Sequence, residues 1–549
     1  MRRLLGLVLA TALVLAACGS EESREGGTVS EEVEEQLAYL EPDSALVVAV
    51  DMRYEEENWE SLRGIADRVL AETREVVDPD DRDGVPADAD AALDEFTRFV
   101  SLDFDDDVRP LLAGRLVIGE ALPPGQGDPQ ERVTLVFRTE EGDLRAALEK
   151  ALDNSKLRPM RGHDDVLVAE EAIALVGDDT LVVADGTEQL TAAVERAEAG
   201  RGFPPELLAA AEESVGIDDP FVLATGTLDL AREFLEEENL ERAVAAVPYL
   251  AAVERVDVAL DLSEDAVEAS AHVATTGAEL SEDDLPLGPA GEVELPVVED
   301  AVVGGSRDQS RITTFAAQVM RSAFADSDFV ATVEETEREL GIRFEDEVLR
   351  QFNCPSVSSF EPDPDAPLGV GGRFSARSCV SDPERMRELL PELAPRLPRI
   401  LRAMGGLGGE GLFGLLMLAP DAPLAPGTML MQIGVAPLGG GGQEELLYEV
   451  SGLRDEPGFG SADRVVFGMI GDVFVVGSDR QAAREAATLE TEPAGEDAAS
   501  SLRVWPRALA GELGPEAGEV LDRAFADFEI GFSADPRATR AHAVMPLAD

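Results

Sequence analysis

Lysine and histidine are almost absent from this chain of 549 residues. Lysine occurs only at Lys150 and Lys156, and histidine only at His163, His272 and His542. Acid–base catalysis near neutral pH usually relies on histidine, or on a lysine or carboxylate with a shifted pKa. The HExxH, GxSxG and SxxK motifs are also missing, which argues against the common zinc enzymes and hydrolases.

Positive charge is scarce as well. Lys and Arg together number 45 against 112 Asp and Glu, and the formal net charge is −67. A chain of this charge repels nucleic acid and anionic lipid surfaces, and it attracts cations or basic partners. We therefore expect no nucleic-acid partner.

Long apolar runs are missing except at the N-terminus, where Leu4–Leu15 follows Arg2 and Arg3. The run is shorter than the roughly 20 residues that a helix needs to span a bilayer. It is typical of a signal peptide, and we predict that residues 1–17 are cleaved. The acyl chains described next would then be the only membrane anchor.

The cleavage region Leu15-Ala16-Ala17-Cys18 resembles the lipobox of bacterial lipoproteins, in which the cysteine becomes the lipidated first residue. An ordinary secretory cleavage after Ala17 is the alternative. Two or three acyl chains hold a protein firmly on a membrane, since each buried CH₂ contributes roughly 0.8 kcal/mol. We predict lipidation of Cys18, a polar tether over residues 18–37, and a location on the cell membrane facing outside the cytoplasm.

Beyond Cys18, the chain contains only Cys354 and Cys379. Outside the cytoplasm such a pair more often forms a disulfide than two free thiols. Their spacing is not the CxxC of a zinc or redox site. We predict a Cys354–Cys379 disulfide, with two buried thiols as the alternative.

Short motifs recur in the same order in two parts of the chain. One is a Gly-Asp turn followed by a strand and an alanine-rich helix, which begins at Gly177 and again at Gly471. The other repeated motifs are Leu40–Asp51 with Leu295–Asp308, Leu102–Val108 with Ile342–Val348, and Ala271-His272 with Ala541-His542. A common order with different loops indicates two copies of one fold.

We therefore predict two homologous halves, over residues 38–285 and 290–549. Their strands alternate and are joined by short turns, which favours antiparallel hairpins. The predicted fold class is α+β, and each half is expected to be an antiparallel sheet with helices packed on one face.

A family resemblance rests on three stretches of the first half. They are a Leu-x-Pro-Asp-Ser-Ala strand that ends in Asp51, the segment Leu102–Leu112, and the strand Val133–Phe137 with the helix Asp143–Leu152. Together they resemble domain-of-unknown-function family 3352, lipoproteins and membrane-anchored envelope proteins of actinobacteria and cyanobacteria. The second half departs from the pattern at Arg350-Gln351-Phe352. The resemblance implies a fold and an envelope location, and it implies no activity and no catalytic residue.

An acidic loop over residues 78–90 is similar to a calcium-binding loop. With Gly84 at the sixth place, Asp81, Asp83 and Asp90 fall at places three, five and twelve. Pro79 at the first place cannot be a side-chain ligand, and the twelfth place lacks the usual glutamate. A weak calcium site is one interpretation of this loop, and a solvated acidic loop is the other.

A glycine-rich insertion around residues 404–442 is apolar from Leu407 to Leu418. It is expected either to fold onto the second-half core or to form an adaptable lip that contacts lipid or an apolar ligand. The predicted function is a non-enzymatic binding or structural protein of the cell envelope with an unknown partner. The alternative is a carrier of lipid or another apolar ligand, and a carboxylate-based hydrolase is a third hypothesis. The sequence does not indicate the oligomeric state.

Overall fold

Strand β1, Leu46–Asp51, lies in the interior of the fold, as its run of apolar residues predicts. Leu46, Val47 and Val48 are each at most 5% exposed, so both faces of the strand are covered. A strand buried on both faces is expected to be continuously apolar instead of alternating. Its neighbours on the two sides are β2, Arg115–Ala121, and β8, Val222–Gly226.

The computed structural model describes most of the chain after the N-terminal segment. The described residues are 31–53, 57–77, 82, 85–99, 102–121, 132–139, 143–151, 157–163, 165–169, 172–227, 237–263, 265–276, 280–362, 372–405, 434–438, 445–451, 464–495, 498–509 and 515–548.

Twenty strands of these residues form one sheet in which the pairings are antiparallel. The remaining first-part strands are β3 (Arg132–Arg138), β4 (Arg158–Pro159), β5 (Val166–Ala169), β6 (Ile173–Val176), β7 (Thr180–Ala184), β9 (Val253–Leu262) and β10 (Ala266–Thr275). The second-part strands are β12 (Val302–Ser306), β13 (Ser356–Pro362), β14 (Gly372–Cys379), β15 (Gly434–Pro437), β16 (Glu445–Ser451), β17 (Arg464–Ile470), β18 (Val473–Gly477), β20 (Ser500–Val504), β21 (Phe528–Asp535) and β22 (Ala538–Pro546). Strands β11 (Glu294–Pro296) and β19 (Thr491–Pro493) form a separate pair.

The order of the strands follows the same rule in both parts of the chain. From one edge to the centre the order is β4, β5, β6, β7, β3, β2, β1, β8, β9, β10. From the other edge to the centre it is β15, β16, β17, β18, β14, β13, β12, β20, β21, β22. The two series meet where β10 pairs with β22. The predicted mixture of helices with antiparallel strands is therefore confirmed, although the strands join into one sheet.

The helices have the following bounds within the described residues. They are α1 (Glu31–Leu37), α2 (Glu57–Val76), α3 (Ala89–Phe99), α4 (Leu144–Ala151), α5 (Thr187–Glu198), α6 (Pro205–Val215), α7 (Glu237–Ala246), α8 (Pro248–Ala252), α9 (Gln309–Ala323), α10 (Asp328–Leu340), α11 (Phe344–Glu347), α12 (Pro383–Leu393), α13 (Leu397–Gly405), α14 (Arg480–Ala486) and α15 (Pro515–Ala524). In the part of the chain that the structure describes, none of these helices has the length and apolar character needed to cross a membrane.

Helices cover both faces of the sheet, so the prediction that they pack on one face is wrong. Successive residues of a strand point to opposite faces. Val136 of β3 belongs to the core cluster of α1, α5 and α6, whereas its neighbour Phe137 packs with α4. In the second part, Val466 of β17 packs with α14, and its neighbour Phe467 packs with α12. Because apolar side chains of these strands point to both faces of the sheet, each face needs its own layer of helices to bury them.

The two parts of the chain also exchange helix contacts. Helix α2 packs against α15 through Ile65 and Ala524, and Glu72 and Glu75 of α2 contact Arg523 of α15. Helix α9 packs in the same way against α7 and α8, in a hydrophobic cluster that contains Ala243, Val247, Tyr249, Val319 and Ala323. Each part thus contributes its first long helix to the last helices of the other part.

Candidate functional site

A pocket lies between α1, α5 and the sheet in the first part of the chain. Its volume is about 440 Å³. Val166 of β5 and Val176 of β6 form part of its wall, and Val194 and Ala197 of α5 form another part. Small-molecule sites usually have volumes of roughly 300–1,000 Å³, with an apolar lining and a few polar groups. The pocket is of the size that a small organic molecule needs.

Helix α1 is held firmly against the sheet beside this pocket. Val33 and Leu37 are fully buried, and the Leu37 carbonyl oxygen accepts a 3.0 Å hydrogen bond from the Phe203 N–H. Gly202 lies so close that an added Cβ would be 2.3 Å from the Ala38 Cα. Only glycine fits this close approach of two backbone segments. The residues around the end of α1 are therefore fixed in position.

Gln36 of α1 is one of the residues that line the pocket, and its side chain is fully buried. Its Nε2 donates hydrogen bonds to the carbonyl oxygens of Arg115 at 2.6 Å and Val136 at 3.5 Å. Its buried Oε1 has no hydrogen-bond partner among the described residues. A buried carbonyl left without a donor costs about 1–3 kcal/mol, so this oxygen is a local cost of packing α1 against the sheet.

Arg138 and its carboxylate partners line the pocket next to Gln36. The guanidinium contacts Glu35 of α1, and its Nε lies 3.3 Å from the Asp179 Oδ2. Burial raises the pKa of the nearby Tyr39, and the charges of Asp179 and Glu35 raise it further. Tyr39 is therefore a neutral phenol at neutral pH, and the charge of Arg138 is matched by two carboxylates.

His163 faces the same pocket from the turn between β4 and β5. Gly162 in this turn has a φ of +93°, a conformation that favours glycine. The His163 Nδ1 lies 2.7 Å from the Glu198 Oε1 of α5, and the His163 side chain is only 9% exposed. Asp165 also lines the pocket and is exposed. The outer part of the pocket thus carries three exposed carboxylates, those of Glu35, Asp165 and Glu198.

A second cavity, of about 190 Å³, lies at the start of α9. Asp308 caps this helix by accepting from the Ser310 N–H, and Arg311 pairs with Asp308 at 3.2 Å. Asp283, Asp284 and other lining groups are polar. This cavity is smaller, and its main cation is already paired, so we take the first pocket as the candidate site.

A buried polar network surrounds Asp257 on β9. The Asp257 carboxylate accepts from Thr225 at 2.8 Å, from Ser214 at 2.7 Å and from the Arg255 Nε at 2.6 Å. The His272 Nδ1 lies 3.6 Å from the same carboxylate. A serine nucleophile needs an imidazole beside its hydroxyl, with the carboxylate behind the imidazole. Here the Ser214 hydroxyl donates its hydrogen bond directly to the Asp257 carboxylate, with no imidazole between them, so the network is structural.

The residues predicted from the sequence as sites have the following positions. Cys18, Asp81 and Asp83 lie outside the described residues, and Asp90 is in the first turn of α3. Within the described ranges, no group of three or more His, Cys, Asp or Glu side chains could hold a metal ion. The apolar segment 407–418 also lies outside the described residues.

The predicted disulfide is present. Cys354 and Cys379 are bonded, with their Cα atoms 5.9 Å apart. Cys354 precedes β13 and Cys379 ends β14, so the bond closes the open end of this hairpin. The Cys379 N–H also donates to the Pro355 carbonyl oxygen at 3.1 Å, which continues the hairpin pairing up to the bridge.

The sequence did not predict the role of α1. Residues 31–37 were expected to belong to the polar tether, yet they form a helix packed into the core. The signal for this helix is the spacing of Val33, Leu37 and Leu40, which places three apolar side chains on one helical face. The pattern was not recognised because five of the seven residues from Glu31 to Leu37 are acidic or amide residues.

No model of a known protein family matches the chain, and no curated protein is similar to it. Two solved structures are similar over part of it. Crystal form I of TP0453 has 7% identity and a TM-score of 0.23, and it covers 45% of this chain and 81% of its own. Crystal form III of TP0453 has 8% identity and a TM-score of 0.24, with coverages of 45% and 82%. Similarities this weak carry no argument about fold or function.

Proposed function

We propose that this chain is a lipid-anchored binding protein of the cell envelope, which holds a small polar ligand in the pocket beside α1. The observation that carries the proposal is the pocket of about 440 Å³ itself, whose lining combines apolar side chains with several charged and polar ones. Ligand pockets combine an apolar lining with a few convergent polar groups, and this pocket has both.

The anchor in this proposal is Cys18, facing outside the cytoplasm. Helix α1 begins at Glu31, and the 13 residues that follow Cys18 up to this point span at most about 45 Å when fully extended. Because α1 forms one side of the pocket, the pocket is the part of the body closest to the anchor along the chain. The protein would bind its ligand near the membrane surface.

We also propose that the two parts of the chain are homologous halves, as the repeated motifs predict. The identical order of ten strands from each edge to the centre supports this interpretation. The exchanged contacts of α2 with α15 and of α9 with α7 support it too. Helix α1 has no such counterpart among the described residues, where β11 precedes β12 instead. The pocket would then be a specialisation of one half.

The protein is proposed to bind its ligand without chemical change. The His163 imidazole is hydrogen-bonded to Glu198, and the His542 imidazole is hydrogen-bonded to Glu268. The third histidine, His272, lies beside the Asp257 carboxylate of the structural network. The alternative of an apolar-ligand carrier requires a large apolar cavity. The described pocket is lined by charged side chains at several points, which favours a polar ligand.

The test starts from the full chain expressed with its signal peptide and extracted from membranes in mild detergent. Native mass spectrometry should detect a small molecule bound to it, and an Ala197→Phe variant, which fills part of the pocket, should lose that molecule. The Asp472→Asn variant, changed at an exposed turn of the second part, is the control and should retain it. A chain that never carries or binds a small molecule would contradict the binding function.

The anchor is tested separately with Cys18→Ala. This variant should leave the membrane fraction or remain unprocessed, because it has no thiol to receive acyl chains. Unchanged membrane retention of the variant would contradict lipidation at Cys18. Ligand binding should persist in this variant, so the two parts of the proposal fail independently.

A further inference from the structure

We infer that the ligand of the pocket beside α1 is a neutral carbohydrate of one or two sugar rings. This inference rests on the proposed binding function and adds the chemical class of the ligand. It is carried by Tyr39, Arg138 and His163, which line the pocket. Each of them has a polar atom that is open to solvent and has no hydrogen-bond partner among the described residues.

The Tyr39 hydroxyl is the first of these groups. No group of the described residues makes a hydrogen bond to it, and its oxygen is open to solvent. Burial raises its pKa most, Asp179 and Glu198 raise it further, and Arg138 lowers it. The phenol therefore lies within the fields of the Arg138–Asp179 ion pair and of the carboxylate that holds His163.

His163 offers its second ring nitrogen to a ligand. Its Nδ1 lies 2.7 Å from the Glu198 Oε1. Because an ionised carboxylate can only accept, the Nδ1 carries the proton, and the Nε2 of the neutral ring is an acceptor. The Nε2 has no partner in the part of the chain that the structure describes, and solvent reaches it. A ligand hydroxyl can donate to this atom.

Arg138 contributes a donor and little unbalanced charge. Its Nη1 contacts Glu35, and its Nε lies 3.3 Å from the Asp179 Oδ2. Its Nη2 has no hydrogen-bond partner within the described ranges. The Nη2 can therefore donate to a ligand oxygen, while two carboxylates balance the charge of the guanidinium.

Free donors and free acceptors thus occur together in a pocket whose guanidinium is already neutralised. An anion would meet the exposed carboxylates of Asp165 and Glu198 without an unpaired cation to offset them. A purely apolar ligand would remove water from the three free polar groups and give them no partner. A sugar hydroxyl both donates and accepts, so a ring that carries several hydroxyls can satisfy all three groups at once.

The apolar part of the lining suits the faces of a sugar ring. Val166, Val176, Val194 and Ala197 offer apolar surface, and Tyr39 adds a half-buried aromatic ring. Tyrosine combines an apolar ring with a polar tip, so it can contact the C–H groups of a sugar and one of its hydroxyls together. The volume of about 440 Å³ lies within the usual range for small-molecule sites.

The inference is tested by saturation-transfer NMR and isothermal titration on the full mature chain, in a detergent without a sugar headgroup. The neutral probes are glucose, galactose, mannose, maltose, cellobiose and lactose. The amino sugar and the uronic acid of each monosaccharide keep its ring and add a positive or a negative charge. At least one neutral sugar should bind at millimolar concentration, and the charged forms should bind more weakly than their neutral parent.

Two variants remove single polar groups of the pocket. Tyr39→Phe keeps the ring and removes the hydroxyl, and it should weaken the bound sugar about three- to tenfold. His163→Asn keeps a donor for Glu198 and removes the Nε2 acceptor, with a similar expected loss. The matched change Tyr448→Phe, at a buried tyrosine of β16, should have no effect on binding. Thermal unfolding of each variant confirms that it is folded.

The outcomes distinguish this inference from the proposed function. If the amino sugars or the uronic acids bind more tightly than their neutral parents, the ligand is charged and the inference fails while the pocket remains a binding site. Sugar binding that neither Tyr39→Phe nor His163→Asn weakens would place the sugar elsewhere and overturn it as well. If no sugar binds at millimolar concentration, the carbohydrate assignment fails. The binding function fails only if, in addition, the membrane-extracted protein carries no small molecule.

Discussion

Ala271 of β10 lies directly opposite Ala541 of β22 in the antiparallel ladder at the centre of the sheet. On the proposed homology of the two parts of the chain these two alanines are counterparts, because the repeated Ala-His motif supplies both. The ladder extends on both sides of this pair, from Ala266 opposite Pro546 to Ala274 opposite Ala538. Such self-matching is what an interface between two identical subunits related by a two-fold axis would have.

The first prediction follows from this pairing. Residues 31–285, which include the core helix α1, should form a dimer when produced alone, in which β10 of one copy pairs with β10 of the other around Ala271. The unpaired edge of β10 and the exposed apolar face of α2 both require such a partner. Light scattering coupled to size-exclusion chromatography measures the mass. A folded, soluble monomer of this half would contradict the prediction.

Much of the local structure could be predicted from the sequence. The apolar run Leu46–Val50 gives β1, and the Gly-Asp turns at Gly177 and Gly471 connect the hairpins β6–β7 and β17–β18. These elements can be predicted from the sequence because turns and apolar periodicity depend only on residues that are close together in the chain.

The joining of the strands into one sheet could not be predicted in this way. The pairing of β10 with β22 connects residues far apart in the chain, and no local pattern specifies a partner at that distance. Gln36 was missed for a related reason. A glutamine between acidic residues looks solvated, and only the packing of Val33 and Leu37 against the sheet brings it into the core.

The second prediction concerns the buried Asp257. Burial opposes its ionisation, but the neighbouring His272 imidazole and hydrogen bonds from Arg255, Ser214 and Thr225 outweigh burial and lower its pKa. Thr225→Val, which keeps the shape and removes one donor to this charge, should reduce the free energy of unfolding by about 1.5–3 kcal/mol. Asp257→Asn should cost about 3–5 kcal/mol, because it leaves the Arg255 charge without its partner. Urea unfolding at neutral pH measures both.

The pH dependence provides a check on the same carboxylate. Because the folded-state pKa is lowered, the stability that Asp257 contributes is present above its ordinary pKa and is lost as the pH falls through the folded value. The Asp257→Asn chain should therefore lose less stability than the natural chain over the acid range. Equal losses in the two chains would show that the carboxylate is not held in its charged form.

The third prediction concerns the Cys354–Cys379 bridge. It closes a loop of 25 residues by sequence separation, and the chain-entropy account gives about 3 kcal/mol of stabilisation for such a loop. Replacing both cysteines by serine should lower the free energy of unfolding by about this amount, measured by urea denaturation. A reducing agent should lower the stability of the natural chain and leave the double variant unchanged. Equal sensitivity of the two chains to the agent would contradict the assignment.

The last prediction concerns His542, which lies on β22 in the central ladder, opposite Ser270 of β10. Its Nε2 is 3.0 Å from the Glu268 Oε1 of β10, and burial lowers its pKa from the usual 6.5 to about 4. At neutral pH the imidazole is therefore uncharged and donates to the carboxylate, which links the two parts of the chain across the ladder.

Between pH 6.5 and about 4 the unfolded chain binds a proton at this histidine and the folded chain does not. Stability must therefore fall as the pH drops through this window, by up to about 3 kcal/mol from this residue. His542→Gln keeps a donor for Glu268 and cannot titrate, so its stability should fall less over the same window. The difference between the two unfolding curves isolates this histidine from the carboxylates that titrate nearby. An NMR titration of the His542 ring gives the folded-state value directly, and a midpoint near 6.5 would contradict the prediction.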